Sequence, residues 1–309
     1  MIRFTIRRFL SLIPTIFLII TFAFIIVRSA PGGPFSSEHN TTPEILENLQ
    51  KKYHMDESMP RQYVRYMSQV IQGDLGPSFR YKDYTVNQLV KQALPTSMVL
   101  GFMALAVAVL FGIGIGIISA LKQNTWIDYT SMSLAVIGIS VPLFVIGPLL
   151  KLYLALKHDW LPTSGWLGER NGWLVLIMPV ATLCLPYLAS IARLTRASVL
   201  DVLRADFIRT ARAKGIKERT VVIRHALRNS TSAALSMTGL QVGLMFAGVV
   251  VVETIFSWPG IGLYTDQSIP DADFPAIAGV TLVLGVGYVV INAIVDILQA
   301  VVDPRITLE

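Results

Sequence analysis

Basic side chains are frequent in one short segment of the sequence, residues 209–230, which reads RTARAKGIKERTVVIRHALRNS. This segment holds seven Lys or Arg and a single acid, Glu218. The chain contains no phosphate-binding G-x-x-x-x-G-K-[ST] loop, no zinc-binding H-E-x-x-H pair and no G-x-S-x-G turn, so it lacks the usual motifs for hydrolysing ATP or peptides. The chemistry open to the basic segment is recognition by charge and shape.

The rest of the chain is apolar enough to be embedded in a membrane. Of its 309 residues, 53% are hydrophobic and only 15% are charged. A bilayer span needs about 20 apolar residues, and such runs satisfy their backbone in lipid as helices. Uncharged stretches of this length cover 9–27, 92–121, 129–150, 171–192, 229–252 and 274–295. We therefore predict a single all-α integral membrane domain over 1–309, with six transmembrane helices at about 9–27, 96–121, 129–150, 171–192, 231–252 and 274–295.

The distribution of charge between these stretches predicts the orientation. Lys and Arg are concentrated in residues 1–8 and 193–228, whereas 253–273 contains four acids and no Lys or Arg. Basic segments next to spans stay in the cytoplasm. We predict that both termini and loop 193–228 are cytoplasmic, that loop 28–91 is extracytoplasmic, and that the first span is a retained signal anchor.

The basic segment also has the pattern of a helix–turn–helix element. Asp206 is the predicted N-cap of a helix over 207–214, and Gly215 stands where a left-handed residue ends a helix. Lys214 suits the negative end of this helix. A second helical stretch, from Glu218 to Arg228, runs into the fifth span and carries apolar or amphipathic residues at Val221, Val222, His225 and Leu227. This pattern favours a docking element.

Charge alone supports a simpler interpretation, in which the segment only anchors the topology and contacts anionic lipid headgroups. Binding to nucleic acid is disfavoured because the segment lies against the membrane and lacks interleaved aromatic residues.

Part of the segment resembles a known signature. Arg209-Thr210-Ala211-x-x-x-Gly215, with Leu227 twelve residues later, is similar to the "EAA" motif of ABC importer permeases, Glu-Ala-Ala-x-x-x-Gly-x9-Ile-x-Leu-Pro. Four positions depart from that motif, at Arg209, Thr210, His225 and Arg228. The longer stretches FIRTARAKG and RHALRN resemble the variant found in peptide and nickel permeases.

Other stretches extend the resemblance over essentially the whole chain, and they are closest to B-type oligopeptide permease subunits. These stretches are RRFLSLIPT, APGGPF, GDLGPSFRYKDYTVN, ALKQNT, ETIFSWPGIG and AIVDILQAVVDPRI. The resemblance implies the six-helix fold of type I importer permeases. Dipeptide, nickel and glutathione permeases of the same family remain alternatives.

The resemblance also implies partners and site residues. The partners would be a second homologous permease, two ABC ATPases that bind ATP and Mg²⁺, and an extracytoplasmic peptide-binding protein. The chain itself would be no enzyme and would hold no catalytic, cofactor or metal site. The ATPase-coupling residues would be Asp206, Phe207, Arg209, Thr210, Ala211, Arg212, Ala213, Lys214, Gly215, His225 and Leu227.

An ion-driven secondary transporter is the competing class. Such proteins usually carry ionisable groups near the middle of the membrane. The six stretches contain none, and the nearest candidates, Lys151, Glu253 and Asp296, fall at span ends. His158 and His225 lie outside the spans.

Loop 28–91 is the largest polar segment, and its sequence predicts two helices. Thr42-Pro43-Glu44 is typical of a helix start, and the pattern from Met55 to Gly73 predicts a second amphipathic helix that ends at the glycine. The loop could face the binding protein or pack against the partner permease, and the sequence does not separate these roles.

Overall fold

A computed structural model describes residues 2–29, 54–81, 83–166 and 172–302. These ranges are mainly helical, with no named strand among them, which confirms the prediction of an all-α protein. The helices are α1 (Ile2–Ser29), α2 (Met59–Ile71), α3 (Val86–Leu121), α4 (Trp126–Ser140), α5 (Leu143–Leu150), α6 (Leu174–Leu203), α7 (Asp206–Ala213), α8 (Glu218–Thr220), α9 (Arg228–Phe256), α10 (Ile261–Ser268) and α11 (Phe274–Val302). Lys151–Lys157 and Val221–Leu227 are π-helical.

Four of the described segments are long and apolar enough to cross a membrane, and the number rises to six if each of two bent helix pairs is one span. The four are Thr5–Ser29, Val86–Leu121, Leu174–Leu203 and Phe274–Ile297. The first bent pair joins Trp126–Ser140 to Leu143–Lys157 at 105°, and the second joins Gln241–Phe256 to Ile261–Ser268 at 74°. The six predicted stretches therefore correspond to helical segments, but the third is not straight.

The bend in the third stretch has a local cause. Val141 is extended, with ψ of 122°, and Pro142 is the N-cap of α5. A proline has no N–H to continue the helix before it, and it disfavours the helical conformation in the residue that precedes it. The chain therefore turns between α4 and α5.

Helices α3 and α6 pack closely because α3 carries glycines on the contact face. A Cβ atom on Gly116 would lie 2.6 Å from the carbonyl oxygen of Ala192, and one on Gly112 would lie 2.9 Å from that of Leu188. Gly114, on another face, has open space beside it. Small residues four apart allow this backbone approach, so α3 and α6 form the centre of the bundle.

Helix α2 ends beside Gly73, as the sequence predicts, although it begins at Met59 rather than at Met55. Gly73 has φ of +78°. Its N–H donates to the carbonyl of Val70 at 2.9 Å, and the N–H of Asp74 donates to that of Gln69 at 2.9 Å, which is the Schellman pattern. The helix packs on α1, where the hydroxyls of Thr21 and Tyr63 are 2.8 Å apart. The other predicted helix of this loop, from Thr42, lies outside the described residues.

The segment after Gly73 is fixed to the far end of the chain through Asp273, which is fully buried. The hydroxyl of Ser78 donates to the Asp273 carboxylate, and so does the N–H of Phe79, at 3.1 Å. The same carboxylate accepts the N–H of Ala276 at 3.3 Å in the first turn of α11. Arg80 adds an ion pair with Asp271.

The first turns of α1 and the last turns of α11 meet at one end of the bundle. Arg8, in α1, forms an ion pair with Asp296, in α11. The beginning of α1 and the last turns of α11 therefore lie on the same side of the helical layer.

Candidate docking site

The predicted docking element begins one residue earlier than the sequence suggested. The N-cap of α7 is Ala205, which has an extended backbone, and Asp206 is the first helical residue. The prediction that Asp206 caps the helix is therefore wrong. Its carboxylate still lies in the first turn, where the helix dipole favours negative charge, and it is 3.5 Å from the guanidinium of Arg209. The carbonyl oxygen of Asp206 accepts the Thr210 hydroxyl at 3.0 Å.

Helix α7 ends at Gly215 in the conformation that the sequence predicts. Gly215 has φ of +74°. Its N–H donates to the carbonyl of Arg212 at 2.9 Å, and the N–H of Ile216 donates to that of Ala211 at 3.3 Å. These two bonds form a second Schellman motif. A Cβ atom on Gly215 would meet nothing within 4 Å, so only the positive φ disfavours other residues there.

One face of α7 is buried against the neighbouring segments. Ile208 is fully buried and Ala211 is 6% exposed. Both belong to an apolar cluster whose other members are Val202, Leu203, Ile216, Val221 and Ala226. Ile208 was absent from the predicted site, although its spacing of three from Ala211 on an eight-residue helix is the signal that could have found it.

The opposite face is exposed and combines charge with one large apolar side chain. Phe207 is 46% exposed. The other predicted residues exposed at this surface are Asp206, Arg209, Thr210, Arg212, Ala213, Lys214 and Gly215. An aromatic ring among basic groups suits a partner that offers an apolar pocket with acidic side chains around it.

The second helical stretch is continuous with α9, as predicted, but its middle is π-helical. Residues Glu218–Thr220 are α-helical and Val221–Leu227 form the π-helical segment that leads into α9. His225 and Leu227, both in the predicted site, are half-buried there rather than exposed on α7. Nothing in the sequence pattern distinguished a π-helix from an α-helix.

A side-chain pair closes the turn between the two helical parts. The guanidinium of Arg212 donates to both carboxylate oxygens of Glu218, at 2.6 and 3.1 Å. This hydrogen bond lowers the pKa of Glu218 and raises the pKa of Arg212. The single acid of the basic segment is therefore used to brace its turn, a role that the sequence analysis missed.

The ionisable groups considered as relays each have a partner in the protein. Glu253 is fully buried in the last turn of α9, not at an exposed span end, and it accepts the N–H of Gly262 at 2.6 Å at the start of α10. The ammonium of Lys151 donates to the carbonyl of Ile255 at 3.2 Å, and Asp296 pairs with Arg8. These contacts join helices to one another and favour a structural role.

The fold and the site together define the class: a multi-span membrane protein with a short, partly exposed helix, α7, between α6 and α9. A family model described as "Binding-protein-dependent transport system inner membrane component" matches residues 112–308, and the model of the N-terminal region of such components matches residues 1–101. The chain belongs to this family of transport-system membrane components.

Curated relatives span its whole length. The chain is 44% identical over 306 residues to the oligopeptide transport system permease protein OppB of Salmonella typhimurium, with 99% of each chain covered. It is 40% identical to OppB of Haemophilus influenzae, with 99% of each covered, and 37% identical to the dipeptide permease DppB of Bacillus subtilis, with 100% of this chain and 99% of that protein covered.

A solved structure shares the fold. The crystal structure of an amino acid ABC transporter with histidines matches 72% of this chain and 92% of its own, with a TM-score of 0.51 and 18% identity.

Proposed function

We propose that the chain is the membrane-spanning subunit of an ATP-driven oligopeptide importer, in which it forms half of the translocation pathway. The observation that carries the proposal is the 44% identity over 99% of both chains with an oligopeptide permease. The dipeptide and glutathione permeases are each 37% identical and fit less well. Hydrolysis of ATP would take place on separate ATPase subunits, which would also bind the Mg²⁺.

The docking surface on α7 would be the contact with those ATPases. Its support is the division of the helix into a buried face, at Ile208 and Ala211, and an exposed face that presents Phe207 among basic residues. A helix that is fixed to the membrane domain on one side and exposed on the other can transmit a displacement from a bound ATPase to the membrane domain. The coupling residues would be Asp206, Phe207, Arg209, Thr210, Ala211, Arg212, Ala213, Lys214, Gly215, His225 and Leu227, of which Ala211 acts from the buried side.

The remaining partners would be a second homologous permease and an extracytoplasmic peptide-binding protein. An apolar cavity of about 260 Å³ lies between α3, α9 and α11, with Met98, Phe102, Phe246 and Leu284 in its lining. An apolar cavity between helices supports the proposal that this face contacts a second permease or lines the pathway between the two permeases.

The protein would lie in the inner membrane with both termini in the cytoplasm. The ion pair between Arg8 and Asp296 supports a common side for the two ends. The excess of Lys and Arg in 1–8 and 193–228 supports the cytoplasm as that side.

Co-purification tests the proposal. The chain is expressed with its genomic neighbours, and two ATPases are expected to purify with it. Peptide uptake in proteoliposomes should require ATP and the binding protein and should persist when ion gradients are dissipated. Uptake that needs an ion gradient and no ATPase would instead identify a secondary transporter.

A further inference from the structure

Asp128 is a buried charge that the sequence presents as an ordinary loop residue. It lies in the first turn of α4, and it is 1% exposed. Its Oδ1 accepts the Ser119 hydroxyl at 2.5 Å and the Arg196 Nε–H at 2.6 Å. Its Oδ2 accepts the Asn124 N–H at 3.0 Å and the Arg196 Nη2–H at 2.7 Å. Each carboxylate oxygen of Asp128 therefore accepts two hydrogen bonds.

These donors come from three separate elements. Ser119 belongs to the last turn of α3, Asn124 to the turn between α3 and α4, and Arg196 to α6. A bidentate pair of Arg and carboxylate fixes orientation as well as distance. Removing one partner of a buried pair leaves an uncompensated charge, which is costly. The paired arrangement of Asp128 and Arg196 is therefore strongly favoured. The last turn of α3 and the first turn of α4 are thus bound to α6 at one point.

Helix α6 connects this point to the docking helix without a long linker. It continues from Arg196 to Leu203, and two residues separate its end from Asp206. Those two residues are hydrogen-bonded in a turn, Arg204 to the carbonyl of Asp201 at 3.3 Å and Ala205 to that of Val202 at 3.0 Å. Val202 and Leu203 also pack in the apolar cluster around Ile208. A displacement of α7 therefore acts directly on the end of α6 that carries Arg196.

The other route from α7 runs through the π-helical segment to α9, which is hydrogen-bonded to α6. At this end the described contacts include a hydrogen bond between neutral groups, from the Ser198 hydroxyl to the Ser230 carbonyl at 3.3 Å. Within the part of α9 whose side chains are described, no ion pair reaches α6. The charged tie lies on the α3–α4 side, where Gly116 also packs directly against α6.

We infer that Asp128 and Arg196 are a positioning pair that makes the ends of α3, α4 and α6 move with α7 as one body. Movement imposed on α7 would then reach the α3–α4 hairpin and the pathway beside it. The inference rests on the proposed function only for the source of the movement, which is the ATPase docked on α7.

Transport per ATP separates a positioning role from a merely structural one. In the complex purified with its ATPases, Asp128→Asn should still assemble and hydrolyse ATP, but peptide transported per ATP should fall severalfold. Arg196→Lys keeps the charge and loses the bidentate geometry. Peptide transported per ATP should therefore fall less in this variant than in Asp128→Asn. The control Arg193→Gln removes a positive charge, as loss of Arg196 would, but from an exposed position on α6, and it should transport normally. An unchanged ratio for Asp128→Asn would overturn the inference.

A double variant distinguishes the tie from the penalty of an unpaired charge. Asp128→Asn with Arg196→Gln leaves no buried charge, yet it also removes the charged tie. We expect transport per ATP to remain low in this variant. Full recovery would show that the unpaired charge caused the defect, and it would overturn the inference.

A distance measurement tests the single body directly. Spin labels at Thr130 and Arg204, both exposed, report on α4 against the turn between α6 and α7. The distribution of distances between the two labels should stay narrow and unchanged when a non-hydrolysable ATP analogue binds to the complex. Asp128→Asn should broaden this distribution. A shift in the wild-type protein, or a narrow distribution in Asp128→Asn, would contradict the inference. The broadening is expected in the isolated chain as well, so it can be measured even if no ATPase co-purifies and the proposed function fails.

Discussion

Two turns in this molecule have nearly the same backbone and very different surroundings. Gly73 ends α2 and Gly215 ends α7, with φ of +78° and +74°. Both close a Schellman motif, and a Cβ atom on either glycine would meet nothing within 4 Å. The local sequence thus encodes the same turn twice.

The surroundings of Gly73 tie it to the rest of the chain. Its carbonyl accepts the side-chain N–H of Asn87 at 2.5 Å, and the carboxamide oxygen of Asn87 accepts the N–H of Leu75 at 2.8 Å. A few residues later, Ser78 donates to the buried carboxylate of Asp273. The turn at Gly215, by contrast, is braced by the Arg212–Glu218 pair, and α7 is packed on its underside alone. The difference shows that the surroundings of a turn decide whether it is tied to distant parts of the chain or left exposed at the surface.

The largest expected difference between the two turns is the side of the membrane on which they lie. Cysteine introduced at Asp56, in the exposed turn before α2, should react with an impermeant thiol reagent from outside intact cells. Cysteine at Lys217 should react only after the cells are opened. The native Cys184 is buried and provides the unlabelled background. Labelling of Lys217 from outside would reverse the orientation and remove the docking role.

The next effect concerns the exposed aromatic residue of α7. Phe207→Ala should weaken binding of the ATPase by about 2 kcal/mol or more, roughly 30-fold in dissociation constant, because buried aromatic anchors dominate interfaces. The control is Ile71→Ala, which truncates an exposed apolar residue of α2 and should leave ATPase binding unchanged. Affinity is measured by titrating the ATPase onto the permease in nanodiscs. Equal affinities for Phe207→Ala and wild type would exclude Phe207 from the contact.

A matched pair of glycine substitutions compares the turns themselves. A β-branched residue in the left-handed conformation is strained by about 1–2 kcal/mol. Gly215→Val and Gly73→Val should suffer this strain alike, since both sites are otherwise open. Only Gly215→Val should lose ATPase docking or uncouple hydrolysis from peptide uptake. Gly215→Asn should be close to wild type, because Asn tolerates this conformation. A fully active Gly215→Val protein would reduce the segment to a topological anchor.

Loss of surface charge should have the smallest effect. Lys217→Gln with Arg219→Gln should leave uptake nearly unchanged, because both side chains are exposed and Arg209, Arg212 and Lys214 still hold the topology. A strong uptake defect in this double variant would favour the simpler interpretation, in which the charge of the segment only anchors the topology and contacts lipid headgroups.

The brace at the turn gives a further small effect with a defined dependence on pH. Because Arg212 lowers the pKa of Glu218 below its ordinary value of 4.5, the stabilising contribution of the pair is present above that pH. It is lost as the pH falls through the lowered pKa in the folded protein. Glu218→Gln should loosen the turn at neutral pH, measured as faster hydrogen exchange of a peptide covering 211–218. Exchange identical to wild type would show that the pair adds nothing.

The docking element shows how far local sequence reasoning reaches. Gly215 and the helix before it could be predicted because each depends on neighbours within a few residues. The N-cap was misplaced by one residue, because an aspartate suits both the N-cap and the first turn of a helix, and the backbone conformation decides between them. The π-helical segment and the Arg212–Glu218 pair were not predicted, because both depend on how the turn folds back.

The sequence by itself determined the class of the protein, the approximate helices and the chemistry of the basic segment. These features follow from composition and short periodicities, which act within a single helix or turn. Only the tertiary structure decided that Asp128 pairs with Arg196, 68 residues away, and that Asp273 holds Ser78, 195 residues away. Each aspartate looks like an ordinary loop charge in the sequence. A buried carboxylate is stable only where donors converge on it, and that convergence exists only when distant helices have packed.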